Sequence, residues 1–516
     1  MKSIKTVFLV ISLAGILTAQ NEWVLQPWME VEGDTSMQRL GLEVGYFGKK
    51  GDTAIVSVTE AQNVIKVYYL TTPADTIPRY TLTGYNCSTG DFNGDGIKDL
   101  LVNGNPTEIY LGISPGVFDT IPFFVKYQEP EGYAFGRRIA VGKINGDIYD
   151  DLVVTDAGYP DGNNIGRVYL FWGGMQMDTV PSYIVSGGYS RSGFGWNVTT
   201  GNLNNDEYDD IIVRGYDSNN PVSSQRFPYL RIFLGGNTID TAAWKYFRGT
   251  LTSSFGLASF DVNGDGVKDL LWTNYSLIDS MNSVYIHFSE NNDIDTLPSL
   301  VLSSNWAQNV ADAGDMNGDG YEDILISSNG SDQGGSSYIF VYSGGPKMDE
   351  NFDAAAGIGG VSNLGAFGSI AGVGDINGDG LDDILVGAYA YKWFTEKGKW
   401  FIFLGDSSIP VTSVREKELS QPEDFVLYQN YPNPFNPRTV IGYNLSVISN
   451  VQITIYDVLG KEITTLVNEE KFAGEYETEF DAQKYKLSSG IYYYKITLTD
   501  SKGNKQTQTK SMVLIK

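Results

Sequence analysis

Carboxylate and amide side chains recur in this chain at one fixed spacing. Residues 91–99 read DFNGDGIKD, placing Asp91, Asn93 and Asp95 at positions one, three and five of a nine-residue loop and Asp99 at its end. Gly96, at position six, can take positive φ and turn the chain tightly. Hard oxygen donors at one, three, five and nine, joined by a backbone carbonyl at position seven (Ile97), can wrap a single hard cation of calcium size. The same set recurs at Asp261, Asn263, Asp265, Val267 and Asp269; at Asp315, Asn317, Asp319, Tyr321 and Asp323; and at Asp375, Asn377, Asp379, Leu381 and Asp383. The closing acid at position nine, and the strand-like flanks, separate these loops from the EF-hand, which closes on a glutamate at twelve between helices. Asn-Gly and Asp-Gly are also strong hairpin turns that need no ion. Turn formation accounts for the glycines but not for three mutually repelling carboxylates within nine residues, which call for a cation or a proton. Calcium is therefore expected in these four loops.

Two further copies are degenerate. Asn202, Asn204, Asp206, Tyr208 and Asp210 form a fifth candidate with less ligand charge and with Glu207 where glycine is expected. In 143–151 the first acid is Lys143 and the glycine is Ile148, leaving Asn145, Asp147 and Asp151. There the lysine is expected to stand in for the ion. A seventh stretch, 46–54, keeps glycines and an apolar strand but lacks the carboxylates, and is expected to hold no metal.

Other chemistry is sparse. The chain has one histidine, His287, in the strand-like segment 283–288, and one cysteine, Cys87, expected as a small buried side chain. Histidine triads and His or Cys zinc sites are excluded by that count. A glycosidase-type carboxylate pair is not. Among nine tryptophans, Trp196, Trp306 and Trp393 are candidates for sugar stacking, whereas Trp172 and Trp400 fall in repeated aromatic strands and are expected to pack. A formal charge of -26 opposes nucleic acid as a partner.

The elements that must position these loops follow from their spacing. The first positions fall at 91, 143, 202, 261, 315 and 375, so successive copies lie 52, 59, 59, 54 and 60 residues apart. With the degenerate copy, seven repeats of about 56 residues fill 20–410, a length that suits one four-stranded blade each. Short apolar β-branched runs, aromatic strands ending in glycine, and Asp-Thr-x-Pro turns fit this period. The expected fold is all-β: a seven-bladed β-propeller whose last blade takes its outer strand from residues 23–31, followed by a small Ig-like β-sandwich over 425–516. A polar linker spans 411–424. At the N-terminus, Lys2 and Lys5 precede an apolar run over 7–17, which predicts a secretory signal peptide over 1–19. No segment is long and apolar enough to be a transmembrane helix.

Phe-Gly pairs precede several loops (Phe135-Gly136, Phe194-Gly195, Phe255-Gly256, Phe367-Gly368). With the acidic blocks they make residues of about 40–410 resemble the FG-GAP or VCBS repeats of integrin α-subunit propellers. The resemblance implies ions that hold the loops and a ligand taken by variable loops on another face. Residues 430–437 (NYPNPFNP), 456–460 (YDVLG), 489–492 (SGIY) and the tail 513–516 resemble type A sorting domains of the type IX (Por) secretion system. That resemblance implies handling by the secretion machinery, passage across the outer membrane of a diderm bacterium, and release or attachment at the cell surface. The expected function is a secreted or surface binding and adhesion module for a glycan or protein, not an enzyme. The alternatives are a carbohydrate-active enzyme using loop carboxylates and a structural surface-layer protein.

Overall fold

The computed structural model describes residues 23–32, 44–50, 53–60, 63–70, 77–132, 134–161, 163–188, 190–217, 227–249, 256–276, 281–302, 307–329, 337–358, 369–388, 398–409, 425–427, 430, 433, 435–445, 449–457, 461–471, 474–499 and 505–515. The expected signal peptide and linker, Trp306, Trp393, Phe255 and the Phe367-Gly368 pair lie outside them. Two compact units are present, Met1–Ser413 and Val414–Lys516. No α-helix occurs among the described residues.

Among the described residues of the first unit, seven sheets of four or five strands follow one another along the chain, each built on a meander of antiparallel strands, with two further two-stranded hairpins, Gly112–Ser114 with Val117–Phe118 and Ser289–Glu290 with Asp293–Ile294. The third is typical: Ile139–Gly142, Asp151–Asp156, Arg167–Phe171 and Tyr183–Ser186 pair in chain order. Apolar β-branched and aromatic residues dominate the middle strands because both of their faces are covered by neighbouring sheets, so every residue of Asp151–Asp156 is buried. The innermost strands pack in series: Val44–Lys50 against Asn86–Gly90, then Ile139–Gly142, Asn197–Gly201, Leu257–Phe260, Ala307–Gly314 and Ser369–Gly374, which in turn packs against Val44–Lys50.

Pro27–Glu32 completes the seventh sheet, antiparallel to Lys399–Phe403, as the unused N-terminal segment led one to expect. The structure adds a second attachment: Trp23–Val24 pairs in parallel with Ala354–Ile358 of the sixth sheet. Ten residues of chain thus join the last two sheets.

The second unit has a three-stranded sheet (Phe425–Leu427, Arg438–Leu445, Gly474–Asp481) and a four-stranded sheet (Glu462–Lys471, Ser449–Tyr456, Gly490–Thr499, Lys505–Leu514). Their alternating apolar residues share one core that includes Ile441, Tyr443, Ile453, Phe480, Tyr494 and Met512.

Candidate functional site

Each acidic block joins the first and second strands of its sheet, at the same end six times over. In the 91–99 loop, Asp91 Oδ1 accepts from the N–H groups of Gly94 (2.8 Å) and Asp95 (3.1 Å), and its Oδ2 from Gly96 (2.9 Å). Asn93 Oδ1 accepts from Asp95 N–H at 3.0 Å, and Asp95 Oδ1 from Ile97 N–H at 2.8 Å. The loops at 261, 315 and 375 repeat this pattern, with the N–H groups of Val267, Tyr321 and Leu381 donating to the position-five carboxylate. Tyr208 does the same to Asp206. The expected donors at positions one, three and five are thus gathered in each loop, around a tight chain of Asx turns.

The closing aspartate is different. Asp99, Asp210, Asp269, Asp323 and Asp383 are fully buried. Each takes the N–H of position two on one oxygen: Phe92, Leu203, Val262, Met316 and Ile376, at 2.9–3.2 Å. On the other it takes the N–H that follows the third strand: Gly112, Gly235, Ser289, Gly344 and Gly405, at 2.8–3.0 Å. Asp151 does likewise with Ile144 and Gly173, although its loop begins with lysine. This carboxylate is a structural tie whether or not the rest of the loop is intact. Burial is the main force pushing its pKa up, to about 6 in Asp99 and Asp383, about 7 in Asp151, Asp210 and Asp269, and about 8 in Asp323.

Neighbouring loops interlock. The N–H of Asp91 donates to Asp150 (2.7 Å), that of Lys143 to Asp209 (2.9 Å), that of Asp261 to Glu322 (3.0 Å) and that of Asp315 to Asp382 (2.9 Å), so position eight of one repeat caps position one of the repeat before it. Position seven covers the preceding loop's position four: a Cβ on Gly94, Gly146 or Gly264 would meet the ring of Tyr149, Tyr208 or Tyr321 at 2.3–2.7 Å. Those three glycines also hold φ of 75° to 76°, so both space and backbone require glycine there.

The degenerate loops satisfy themselves. Lys143 Nζ donates to the Ile148 carbonyl at 2.8 Å and pairs with Asp150 at 3.2 Å, putting an ammonium in the loop that lacks the first acid. Asn202 is both donor and acceptor towards Asp206. At 46–54 there is a hairpin instead of a nine-residue loop, since strand pairing runs to Lys50 opposite Thr53.

The donor chemistry of the four full loops suits a hard divalent cation. One oxygen lacks a partner: Asp319 Oδ2 is buried with no hydrogen bond, because Asn317 turns its amide to Ser343 Oγ (3.0 Å), whereas Asn93, Asn263 and Asn377 donate to their position-five carboxylate. The remaining carboxylates face backbone N–H groups, and no three acidic, imidazole or thiol side chains among the described residues converge tightly enough to form a metal site.

His287, the lone histidine, is buried in a strand. Trp272 Nε1–H donates to its Nε2 at 3.0 Å, so Nδ1 carries the proton and donates to the Asp295 carbonyl at 3.0 Å. Trp400 is fully buried, Trp172 packs edge-on to Tyr183, and Trp196 is half-buried against Tyr216.

The block at 261–326 matches the FG-GAP-like repeat model and 367–399 the FG-GAP repeat model. This chain carries FG-GAP repeats. The repeat region is similar to integrin α subunits: 26% identity over 234 residues with integrin α5 of Xenopus laevis, covering 41% of this chain and 21% of that one. It is 31% identical over 141 residues to integrin αIIb of Mus musculus, covering 25% and 14%. It is 27% identical over 193 residues to human integrin α6, covering 36% and 17%. The chain thus spans about a fifth or less of these relatives. Residues 429–514 match the secretion system C-terminal sorting domain. Its motif residues hold the tail of the second unit: Asn433 Oδ1 accepts from Val513 N–H at 2.9 Å, Phe435 N–H donates to the Val513 carbonyl at 2.9 Å, and Ile515 N–H donates to the Phe435 carbonyl at 3.0 Å. FG-GAP repeats joined to such a domain point to an exported surface protein.

Proposed function

We propose that the first unit is a seven-bladed β-propeller held by calcium, and that it binds a glycan or a protein outside the cell. The cyclic packing of the seven inner strands supports the propeller. The observation that carries the metal reading is the buried, unpartnered Asp319 Oδ2 in a loop whose Asp315 and Asp323 add two more carboxylates. An ionised oxygen in that setting needs a positive charge. Asp315, Asn317, Asp319, the Tyr321 carbonyl and Asp323 would close on one ion, drawing together carboxylates that here face backbone N–H groups, with the equivalent residues of the 91, 261 and 375 loops holding others and 202–210 a fifth. Bound calcium supplies charge neutralisation. The chain's own contribution is the network of Asx turns and the ties from Asp99, Asp269, Asp323 and Asp383 that keep each loop in place.

The sorting domain supplies the address, through the type IX machinery, and leaves the first unit as the working part. Metal analysis of calcium-equilibrated protein is expected to find about four to five ions per chain with the sub-millimolar to millimolar affinity of extracellular modules. Asp319→Asn should lose one. Protein that holds no calcium would end the metal reading. A glycan array and a pull-down with the purified chain test the binding role; turnover of a polysaccharide would mean a carbohydrate-active enzyme, and ordered self-assembly a surface-layer protein.

A further inference from the structure

We infer that the end of the third and fourth sheets opposite the acidic loops is a docking surface for a uronate-bearing polysaccharide. The inference rests on the first unit being a binding module and specifies what it binds. Its starting point is an uneven distribution of charge. Eight of the chain's 12 arginines lie between 137 and 248, and none between 249 and 414. Residues 249–410 carry 22 acids against 5 lysines, whereas 126–248 carry 14 acids against 11 lysines and arginines.

The fold brings Arg137, Arg138, Arg167 and Arg191 to one end, with the Arg231 guanidinium alongside near Gly188; Arg214 is buried and Arg226 lies outside the described residues. In the third sheet the acidic loop joins Gly142 to Asp151, while Asp156, Arg167 and Ser186 are paired at the far end. Arg138 is held there by its carbonyl, which accepts from Thr155 N–H at 3.0 Å, and exposed Arg137 precedes it. Arg191 N–H donates to the Asn163 carbonyl at 2.7 Å, bringing the 187–196 loop alongside. The guanidinium of Arg167 lies 3.6 Å over the Tyr159 ring, with Nε 3.3 Å from Ser186 Oγ. That of Arg231 sits 5.4 Å from the ring centres of both Phe194 and Tyr229. Stacking fixes a guanidinium plane and so orients its N–H groups; Arg167 already turns some of them to Ser186 Oγ and toward the Tyr159 and Tyr169 hydroxyls, and a carboxylate would be taken by those that remain.

The acids nearby are mostly engaged. Glu129 pairs with Lys126 at 2.9 Å, Glu131 accepts from Tyr159 Oη at 3.1 Å, and Asp156 is buried and caps the N–H groups of Ala134 and Gly158; Asp161 stays exposed, and Asp217 ends the second strand of the fourth sheet at this same end. The partner's class follows from the other groups present. Exposed Tyr127, half-buried Trp196, Asn163 and Asn164 offer rings for sugar faces and amides for ring hydroxyls. The exposed aliphatic side chains that a protein or lipid surface would bury lie elsewhere. Ile77, Ile121, Val180 and Leu297, between 67% and 73% exposed, all precede the proline that leads into a fourth strand, at the acidic-loop end.

Affinity electrophoresis and calorimetry of the full calcium-equilibrated chain with polygalacturonate, and with dextran as a neutral comparison, test the inference. Polygalacturonate should bind, dextran should not, and raising sodium chloride from about 0.05 to about 0.5 M should weaken binding markedly. The double variant R167Q/R191Q should bind at least about tenfold more weakly with an unchanged melting temperature, and K347Q should bind as the parent does. A melting shift in the glutamine pair would hand the test to R137Q, which sits on an exposed turn. No binding of polygalacturonate, equal binding of dextran, or insensitivity to both salt and the arginine variants would overturn the inference. Capture of a neutral glycan or of a protein instead would leave the module reading standing while sinking this one.

Discussion

Asp210 separates two roles that a ligand-like aspartate can play. It closes a loop whose first residue is Asn202, yet its oxygens take the N–H groups of Leu203 and Gly235, both at 3.0 Å, as those of the acid-complete loops do. Asp210→Ala should leave two buried donors unpaired and cost on the order of 2–4 kcal/mol. The loss should persist in chelator when urea unfolding is measured, because the tie needs no ion; a loss seen only with calcium would make Asp210 a ligand first. Spacing marks the side chains at one, three and five as candidate donors, but not this second duty, since its partners lie 7 and 25 residues away and are main-chain groups. Gly94 was equally silent: its reason is the ring of Tyr149, one repeat later. His287 provides the pH-sensitive site. Burial pushes its pKa down to about 4 from an ordinary value of 6.5. Above pH 6.5 both folded and unfolded chains hold it neutral. Between pH 6.5 and 4 only the unfolded chain takes the proton, so the contribution of this one group to stability falls as pH drops, by about 3 kcal/mol across that window, opposite in sign to that of the closing aspartates with their raised pKa values. The single imidazole resonance in NMR should therefore not titrate above pH 5; a midpoint near 6.5 would place His287 in water.

At the scale of elements, the strand Pro27–Glu32 carries the most testable load. Met29 is buried with Trp400 and Ile402 in the same cluster, and Glu30 pairs with Lys399 at 2.8 Å. Met29→Ala should cost about 2–4 kcal/mol in urea unfolding, as for other buried methionines. Its effect should reach beyond one sheet, because the same ten residues also pair with Ala354–Ile358; protease cleavage in both the sixth and seventh sheets should rise together. Cleavage confined to the N-terminal strand would show that it is only laid on the edge. This strand was legible as a leftover, because 23–31 has no repeat of its own. Its extra parallel pairing was not, since two residues, Trp23 and Val24, carry no period. The regular 52 to 60 residue spacing marks six successive sheets because each copy of the motif lies at the same junction of strands. The first sheet kept the strands and lost the loop, and the hairpin register of Lys50 with Thr53 explains why no carboxylates are needed there.

Across the whole molecule, net negative charge sets the balance. Sixty-two acids face 36 lysines and arginines, and the closing aspartates lie buried within reach of two more acids in each full loop. Such a fold repels itself unless something neutralises the loops. Sodium can only screen from outside, and the buried carboxylates are beyond its reach. A divalent ion bound in the loop acts where the repulsion arises. At about 2 mM calcium and a dissociation constant of about 0.1 mM, each proposed site would add about 1.8 kcal/mol, and four would add about 7 kcal/mol as an upper value. For a unit of this size that corresponds to a melting-temperature fall on the order of 10 °C in chelator. Calorimetry with and without calcium reads it directly, and 0.5 M sodium chloride should restore little of the loss. If instead the chelated protein melts unchanged at pH 8, where protons no longer neutralise carboxylates with pKa values of about 6 to 7, then the backbone N–H groups alone balance the loops, and calcium is not what holds the sheets together.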